Sequence, residues 1–190
     1  MTNLAFFDRV RKNVFHGSMS QSQVDGCNAI IAACSKDGWA DQRWVAYALG
    51  TANWETDHTM QPIREIGLGR MRAYGHPAGP WHQIFYGRGD VQLTWERNYI
   101  FATQRLHSLG LLQPSENLDQ TPDLAMRPNI AGSIMAIGMR EGWFTGHKLA
   151  DYFNPSRTDW VNARAIINGH DHSQDIGLIA QNFWHALVDA

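Results

Sequence analysis

The sequence predicts a mainly α fold with at most a short β-hairpin, and three observations carry that reading. Apolar residues recur at helical spacing in several segments, each bounded by cap or stop residues. Ile130 to Met139 is apolar on nearly every side, the pattern of a helix buried at the centre of an all-α domain. The long stretch without a period, Thr59 to Trp81, is broken by Pro62, Gly67, Gly69, Gly75, Pro77, Gly79 and Pro80 and reads as loop, with short strands at most.

In chain order, residues 4 to 15 suit a short first helix with Phe6, Val10 and Phe15 inward. Ser20 and Gln23 form a capping box ahead of Val24, Cys27, Ile31 and Cys34, and Asp37-Gly38 stops that helix. Asp41 caps the next, whose inner arc holds Val45, Ala48, Leu49, Ala52 and Thr56. At 100° per residue Glu55 falls about 80° from the centre of that arc, at a core margin. Ile84 to Leu93 suits a short strand and turn around Gly87 and Gly89. Thr94 is placed to cap a helix carrying Tyr99, Ala102, Leu106 and Leu109, with Gly110 as its stop. Residues 111 to 128 read as a second loop. Asp151 to Ser156 reads as a connection, followed by a helix with Trp160, Ala163, Arg164 and Ile167 that ends at Asn168-Gly169. A last helix starts near Ser173 and turns Ile176, Ile179, Ala180, Phe183 and Leu187 inward.

At 190 residues and 44% hydrophobic content, the chain suits one domain with a real core. No repeat or linker stands out, so residues 1–190 are expected to be a single catalytic domain without a separate wall-binding module. A net charge of -2 gives no general attraction to nucleic acid, which is excluded as an expected partner. No apolar run approaches the ~18 residues of a membrane span, and no signal-peptide core is legible near the start. Cys27 and Cys34 lie seven apart in a helical pattern, about 10.5 Å between Cα atoms, too far for a disulfide. They are expected to be reduced core residues.

Glu55 and Glu65 are the first chemical constellation. Glycoside hydrolysis needs a protonated carboxyl for the leaving oxygen and an ionised one to activate water or attack. The competing reading is a solvated helix end plus a loop salt bridge to Arg64, Arg70 or Arg72. Trp54, Trp81, Tyr86 and Trp95 offer flat faces for sugar rings. His170-Asp171-His172, and His58 with His76 and His82, lack the i, i+4 ligand spacing, so neither metal nor cofactor is expected.

The run Phe85-Tyr86-Gly87-Arg88-Gly89-Asp90-Val91-Gln92-Leu93-Thr94-Trp95, then Asn98-Tyr99, closely resembles the signature of glycoside hydrolase family 19 chitinases and their bacteriophage endolysin relatives. Trp54-Glu55-Thr56 resembles the family's His-Glu-Thr/Ser, Pro62-Ile63-Arg64-Glu65 the segment holding its second Glu, and Ala165-Ile166-Ile167-Asn168-Gly169 its late Ile-Asn-Gly. The resemblance spans roughly residues 20 to 189. It implies a lysozyme-like, two-lobed domain around a substrate cleft. It implies further that Glu55 is the general acid, Glu65 the general base of an inverting hydrolysis, and Thr94 a holder of the attacking water. Tyr86, Arg88, Gln92, Trp95, Asn98 and Asn168 are the substrate-binding candidates. Each also has a structural role open to it: Thr94 as helix cap, Gln92 as tie of the turn, Arg88 as brace of Asp90 or a loop carbonyl, Asn168 as a helix ending.

Three departures from the family pattern matter. Trp54 stands where relatives often have His. The two acids are closer in sequence than in plant chitinases, as in shortened bacterial and phage members, which leaves Asp57 as the nearest rival for the base. Plant members carry a Glu and later an Arg after the Asn-Gly; His172 and Gln181 occupy that region here. The expected substrate is peptidoglycan or another N-acetylated glycan, cleaved at β-1,4 bonds by a monomer of endolysin type. Such a protein is held in the host cytoplasm until a separate pore releases it to the wall. A chitinase is the first alternative and a non-catalytic glycan-binding or virion structural protein the second.

Overall fold

A computed structural model describes residues 4–189. Among them, seven helices carry the architecture: α1 Leu4–Asn13, α2 Gln21–Lys36, α3 Gln42–Glu55, α4 Glu96–Ser108, α5 Pro128–Glu141, α6 Leu149–Tyr152 and α7 Ser173–Val188. Two small antiparallel strand pairs complete it. β1 Ile63–Arg64 pairs with β2 Arg88–Gly89, and β3 Phe153–Asn154 pairs with β4 Arg157–Thr158 in a tight hairpin. The fold is mainly helical, as the periodicity predicts.

The core is one continuous cluster drawing on all seven helices and on Phe85, Val91 and Leu93 of the loop side. α3 and α5 lie at its centre. Residues 46–53 of α3 and 130–139 of α5 are buried without interruption, because α7 covers one side of α3 and α2 packs along α5. Gly50 is where α3 meets α7: a Cβ there would stand 2.8 Å from the Cβ of Ala180 and 2.9 Å from its backbone. The Ser20–Gln23 capping box is formed, and Asp41 caps α3 by accepting from Arg43 N–H.

Four expectations are corrected. Thr94 does not cap α4; Trp95 occupies that position with a positive φ of 69° and an extended ψ of 131°, without a side-chain cap bond. The expected helix around 160 to 167 is a short 3-10 turn, Asn162–Ile166, opened by Asp159 accepting from Asn162 N–H. The connection at 151 to 156 contains the end of α6 and strand β3, whose hairpin partner β4 follows it directly. The loop 111 to 128 contains a 3-10 turn at Pro122–Met126, whose Asp123 reaches the loop side of the molecule.

The exit from α3 is held firmly. Thr56 Oγ1 donates to Ala52 O at 2.7 Å and accepts from Met60 N at 3.0 Å. Gln23 Nε2 donates to His58 O and Gln61 Nε2 to Ser22 O, which staples the turn to the start of α2. At Gly26 a Cβ would lie 1.7 Å from Met60 O, so only glycine lets α2 approach this closely. The connector between Glu55 and Glu65 is therefore fixed by backbone and side chains together.

Candidate active site

Glu55 is the last residue of α3, and its partner is Arg164 on the Asn162–Ile166 turn. Arg164 Nη1 lies 2.5 Å from Glu55 Oε1; the side chains are 3% and 15% exposed respectively. The same guanidinium donates from Nε to Asp171 O at 3.2 Å, and Nη2 stands 3.5 Å from Asp171 Oδ1. Glu55 Oε2 accepts no hydrogen bond among the described residues. One oxygen is thus clamped and the other is left for an incoming group.

Trp54 faces a different neighbourhood. Its ring lies 4.7 Å from that of His172 at 35° and edge-on to His58. The region after Asn168-Gly169, where the family resemblance places ionic groups, is supplied here by Arg164 before it and Asp171 after it. Sequence reading assigned Arg164 to a helix face and missed this role. The signal was present: a lone Arg among Ala163, Ala165, Ile166 and Ile167 cannot be buried without a charged partner.

Glu65 follows β1 directly, and both of its oxygens are engaged. Tyr74 Oη donates to Oε1 at 2.9 Å, and Gly87 N–H donates to Oε2 at 2.9 Å. Glu65 N–H in turn donates to Gly87 O at 2.7 Å, extending the β1–β2 pairing by one residue. Glu65 therefore stands on a short sheet rather than in free loop. Burial, and then the bond to Glu65, raise the pKa of Tyr74, which keeps its hydroxyl a donor. Tyr74 is a second residue that sequence reading missed.

The remaining candidates divide by exposure. Gln92, with φ 53°, donates from Nε2 to Ile63 O and Gly89 O, and its Oε1 would meet a Gly87 Cβ at 2.6 Å. It ties the β1–β2 turn. Arg88 is 5% exposed, lies 3.6 Å over the Tyr86 ring, and donates to Asp123, to the carbonyls of Ile84 and Tyr86 and to Tyr99 Oη. It braces loop carbonyls beneath the site, and its ionic partner is Asp123 rather than Asp90. Tyr86 is itself buried. Asn98 Nδ2 donates to Thr94 O, and its Oδ1 has no hydrogen-bond partner among the described residues. The Thr94 hydroxyl makes no hydrogen bond among the described residues, so it remains available for water. Trp95 is 41% exposed. Asn168 is exposed, four residues past Arg164, and its side chain has no hydrogen-bond partner among the described residues. Asp57 is exposed at φ 50° just beyond α3. Ile66, Leu68 and Met71, beside Glu65, are exposed apolar side chains suited to sugar faces or acetyl methyls.

Asp90 is the unusual carboxyl. It is 2% exposed, its Oδ1 has no partner, and burial pushes its pKa up to about 7. No group of three or more His, Cys, Asp or Glu among the described residues is placed to hold a metal ion. No described helix is long and apolar enough to cross a membrane.

No protein-family model and no curated protein matches the chain. Its structure is similar to that of chitinase C from Streptomyces griseus HUT6037, with a TM-score of 0.58 at 20% identity over 98% of this chain and 76% of that one. It is also similar to a Glu-to-Gln mutant of chitinase C, with a TM-score of 0.52 at 22% identity over 100% and 93%. A bacterial family 19 chitinase gives 0.52 at 19% identity over 98% and 94%. The chain thus has the mainly helical fold of family 19 chitinases.

Proposed function

We propose that this chain is a glycoside hydrolase that cleaves β-1,4 bonds of peptidoglycan glycan strands by inversion, in the manner of an endolysin. The observation that carries the reading is the unequal holding of the two carboxyls. Glu55 is clamped through Oε1 by Arg164, leaving Oε2 to carry and deliver a proton to the glycosidic oxygen. Glu65 is fixed through both oxygens by Tyr74 and Gly87, the posture of a base that orients water rather than moves. In the reaction the C1–O bond breaks as Glu55 gives its proton to the leaving oxygen. Water attacks C1 from the opposite face while Glu65 takes the water's proton, and the Thr94 hydroxyl steadies that water. Inversion calls for carboxyls about 6.5 to 9.5 Å apart, with the water between.

The choice of peptidoglycan rests on the resemblance to endolysin-type members with a short path between the acids. The corresponding location is the host cytoplasm until release to the wall, acting as a monomer. Chitin is the second reading, favoured because the structural neighbours are chitinases. Incubation with purified sacculi and with chitin oligomers separates the two, with fragments read by mass spectrometry. Release of fragments with new reducing ends from sacculi is expected, and Glu55→Gln and Glu65→Gln should each abolish it. Cleavage confined to chitin would replace the substrate; undiminished cleavage by Glu55→Gln would overturn the assignment of the acid.

A further inference from the structure

The loop of residues 66 to 75 is closed onto Glu65 at both ends. Leu68 N–H donates to Glu65 O at 3.0 Å, and the Tyr74 hydroxyl donates to Glu65 Oε1 at 2.9 Å. Between them the chain folds back in successive turns, with Arg70 N–H donating to Gly67 O, Arg72 N–H to Gly69 O and Gly75 N–H to Arg72 O, each at 2.9 Å. Gly69 and Gly75 are pressed together at the neck of the loop: a Cβ on Gly75 would lie 1.8 Å from Gly69 O. The loop is therefore a fixed projection beside the proposed base. Its outer side carries Arg70 and Arg72, both exposed, with Ile66 and Met71, 97% and 96% exposed, next to them.

The two guanidinium groups stand apart from the acid they flank. Arg64, Arg70 and Arg72 are the cations nearest Glu65 in sequence, and a loop salt bridge to one of them is the ordinary expectation. Instead Glu65 accepts from Tyr74 and from Gly87 N–H, and Arg64 pairs with Asp123. Arg70 and Arg72 have neither a hydrogen bond nor an ion pair among the described residues. The surrounding sequence offers them no acid: residues 66 to 89 hold Arg70, Arg72 and Arg88 and no Asp or Glu, in a chain whose net charge is -2. A fixed, locally positive surface next to the base complements an anionic group on the substrate. A chitin chain carries no such group, whereas the muramyl units of peptidoglycan bear peptide stems with free carboxylates. We infer that Arg70 and Arg72 bind the stem carboxylates of peptidoglycan, so that the loop of residues 66 to 75 selects stem-bearing strands over bare glycan. The guanidinium fork suits a carboxylate, and Ile66 and Met71 offer apolar contact to the alanine methyls of the same stem. The inference rests on the glycan-cleaving reading and deepens it, because it gives the choice of peptidoglycan over chitin named residues.

Two soluble substrates test it: glycan strands freed from sacculi by an endopeptidase, which keep their stems, and the same strands stripped of stems by an amidase. The parent protein should show a kcat/KM about 10-fold higher on the stem-bearing strands, the scale of two exposed ion pairs, with the difference lying in KM. Arg70→Gln combined with Arg72→Gln should bring that ratio to about 1, and the Arg70→Lys, Arg72→Lys pair should keep part of it by retaining the charge. The parent's preference should also shrink as salt is raised, because the pairs are exposed. Both side chains lack partners, so the melting temperature of the Gln pair should match the parent's. Equal cleavage of both strands by the parent, or an undiminished preference in the Gln pair, would overturn the inference while leaving the glycan-cleaving reading in place. A fall in kcat of equal size on both strands would also overturn it, since the arginines would then act on Glu65 rather than on the stem. Cleavage of neither strand nor of chitin oligomers would bring down the glycan-cleaving reading itself, and the inference with it.

Discussion

Arg164 and Glu55 depend on each other more than an exposed pair would. A guanidinium that is 3% exposed cannot lose its carboxylate without leaving a charge uncompensated in the interior. Arg164→Ala leaves Glu55 without its clamp, whereas Glu55→Gln keeps a side-chain oxygen for Arg164, which also reaches Asp171. Arg164→Ala should lower stability by about 3 kcal/mol and abolish glycan cleavage, whereas Arg164→Lys should restore most of the stability but little of the rate. The distinction arises because an ammonium reproduces the charge but not the fork that reaches Asp171 and Glu55 together. Urea midpoints beside turnover rates check this, and equal rescue of both by Lys would refute the fork argument. Asp90 makes the opposite case, a buried carboxyl with no partner. Its folded pKa of about 7 lies above the unfolded value of about 3.9, so between those limits the native state keeps a proton that the unfolded chain has lost. Its contribution to stability is fully present below about pH 4 and is lost as pH rises to about 7. Asp90→Asn should flatten this slope and raise stability at pH 8 by up to about 4 kcal/mol relative to the parent. Parallel pH-stability curves for the two proteins would count against it. Neither role was legible from spacing: Arg164 fitted a helical repeat with Trp160 and Ile167, and Asp90 sat in a glycine-rich turn where an exposed Asp is the ordinary expectation.

At the scale of elements, the long, strongly periodic helices were readable, while the ends that carry chemistry were not. Ser20 and Asp41 were legible caps because a side-chain oxygen need only reach a backbone N–H two or three residues on. Thr94 carried the same local signal, yet the bond of Trp95 N–H to Phe85 O turns the chain before a cap can form. Tertiary contact decided that point, and the hydroxyl it freed is the one assigned to the attacking water. The inner arc of α2 was legible to within a residue: Gly26 and Ile30 face inward with Cys27 and Cys34, because the approach to Met60 O rotates the contact line towards the glycine. The α3–α7 contact has a functional consequence, since α3 ends at Glu55 and α7 begins beside Asp171 and His172. Gly50→Ala would place a methyl 2.8 to 2.9 Å from Ala180, partly against its backbone, where no side-chain motion relieves it. Overpacking of this kind costs about 1–3 kcal/mol, against a gain in helix propensity of at most about 1. A lowered urea midpoint is therefore expected, with a fall in kcat as α7 shifts away from Glu55. An unchanged midpoint would show that the helices separate freely.

For the whole molecule, the decisive feature is that the site lies on parts joined by one core. Phe85, Val91 and Leu93 of the loop side belong to the same buried cluster as Ala180 and Phe183 of α7. The strand pair that holds Glu65 is further tied by Arg64 and Arg88 to Asp123 of the 3-10 turn Pro122–Met126 that leads into α5. The mainly α class was legible because a ten-residue segment apolar on nearly every side, Ile130 to Met139, admits few other homes. The loop's rigidity was not, because its hydrogen bonds run between residues more than twenty apart, as from Gly87 to Glu65. From that connectivity, unfolding should be a single cooperative event, with far-ultraviolet circular dichroism and tryptophan fluorescence following the same curve. A ligand bridging the acids should then stabilise every part at once. With a hexamer of N-acetylglucosamine about 100-fold above its Kd, the Glu55→Gln protein should gain about 2.7 kcal/mol, or roughly 5 to 10 °C in Tm for a chain of this size. A shift in fluorescence with no shift in dichroism would mean that the side bearing Glu65 melts independently, and the fixed geometry argued for the base would fail with it.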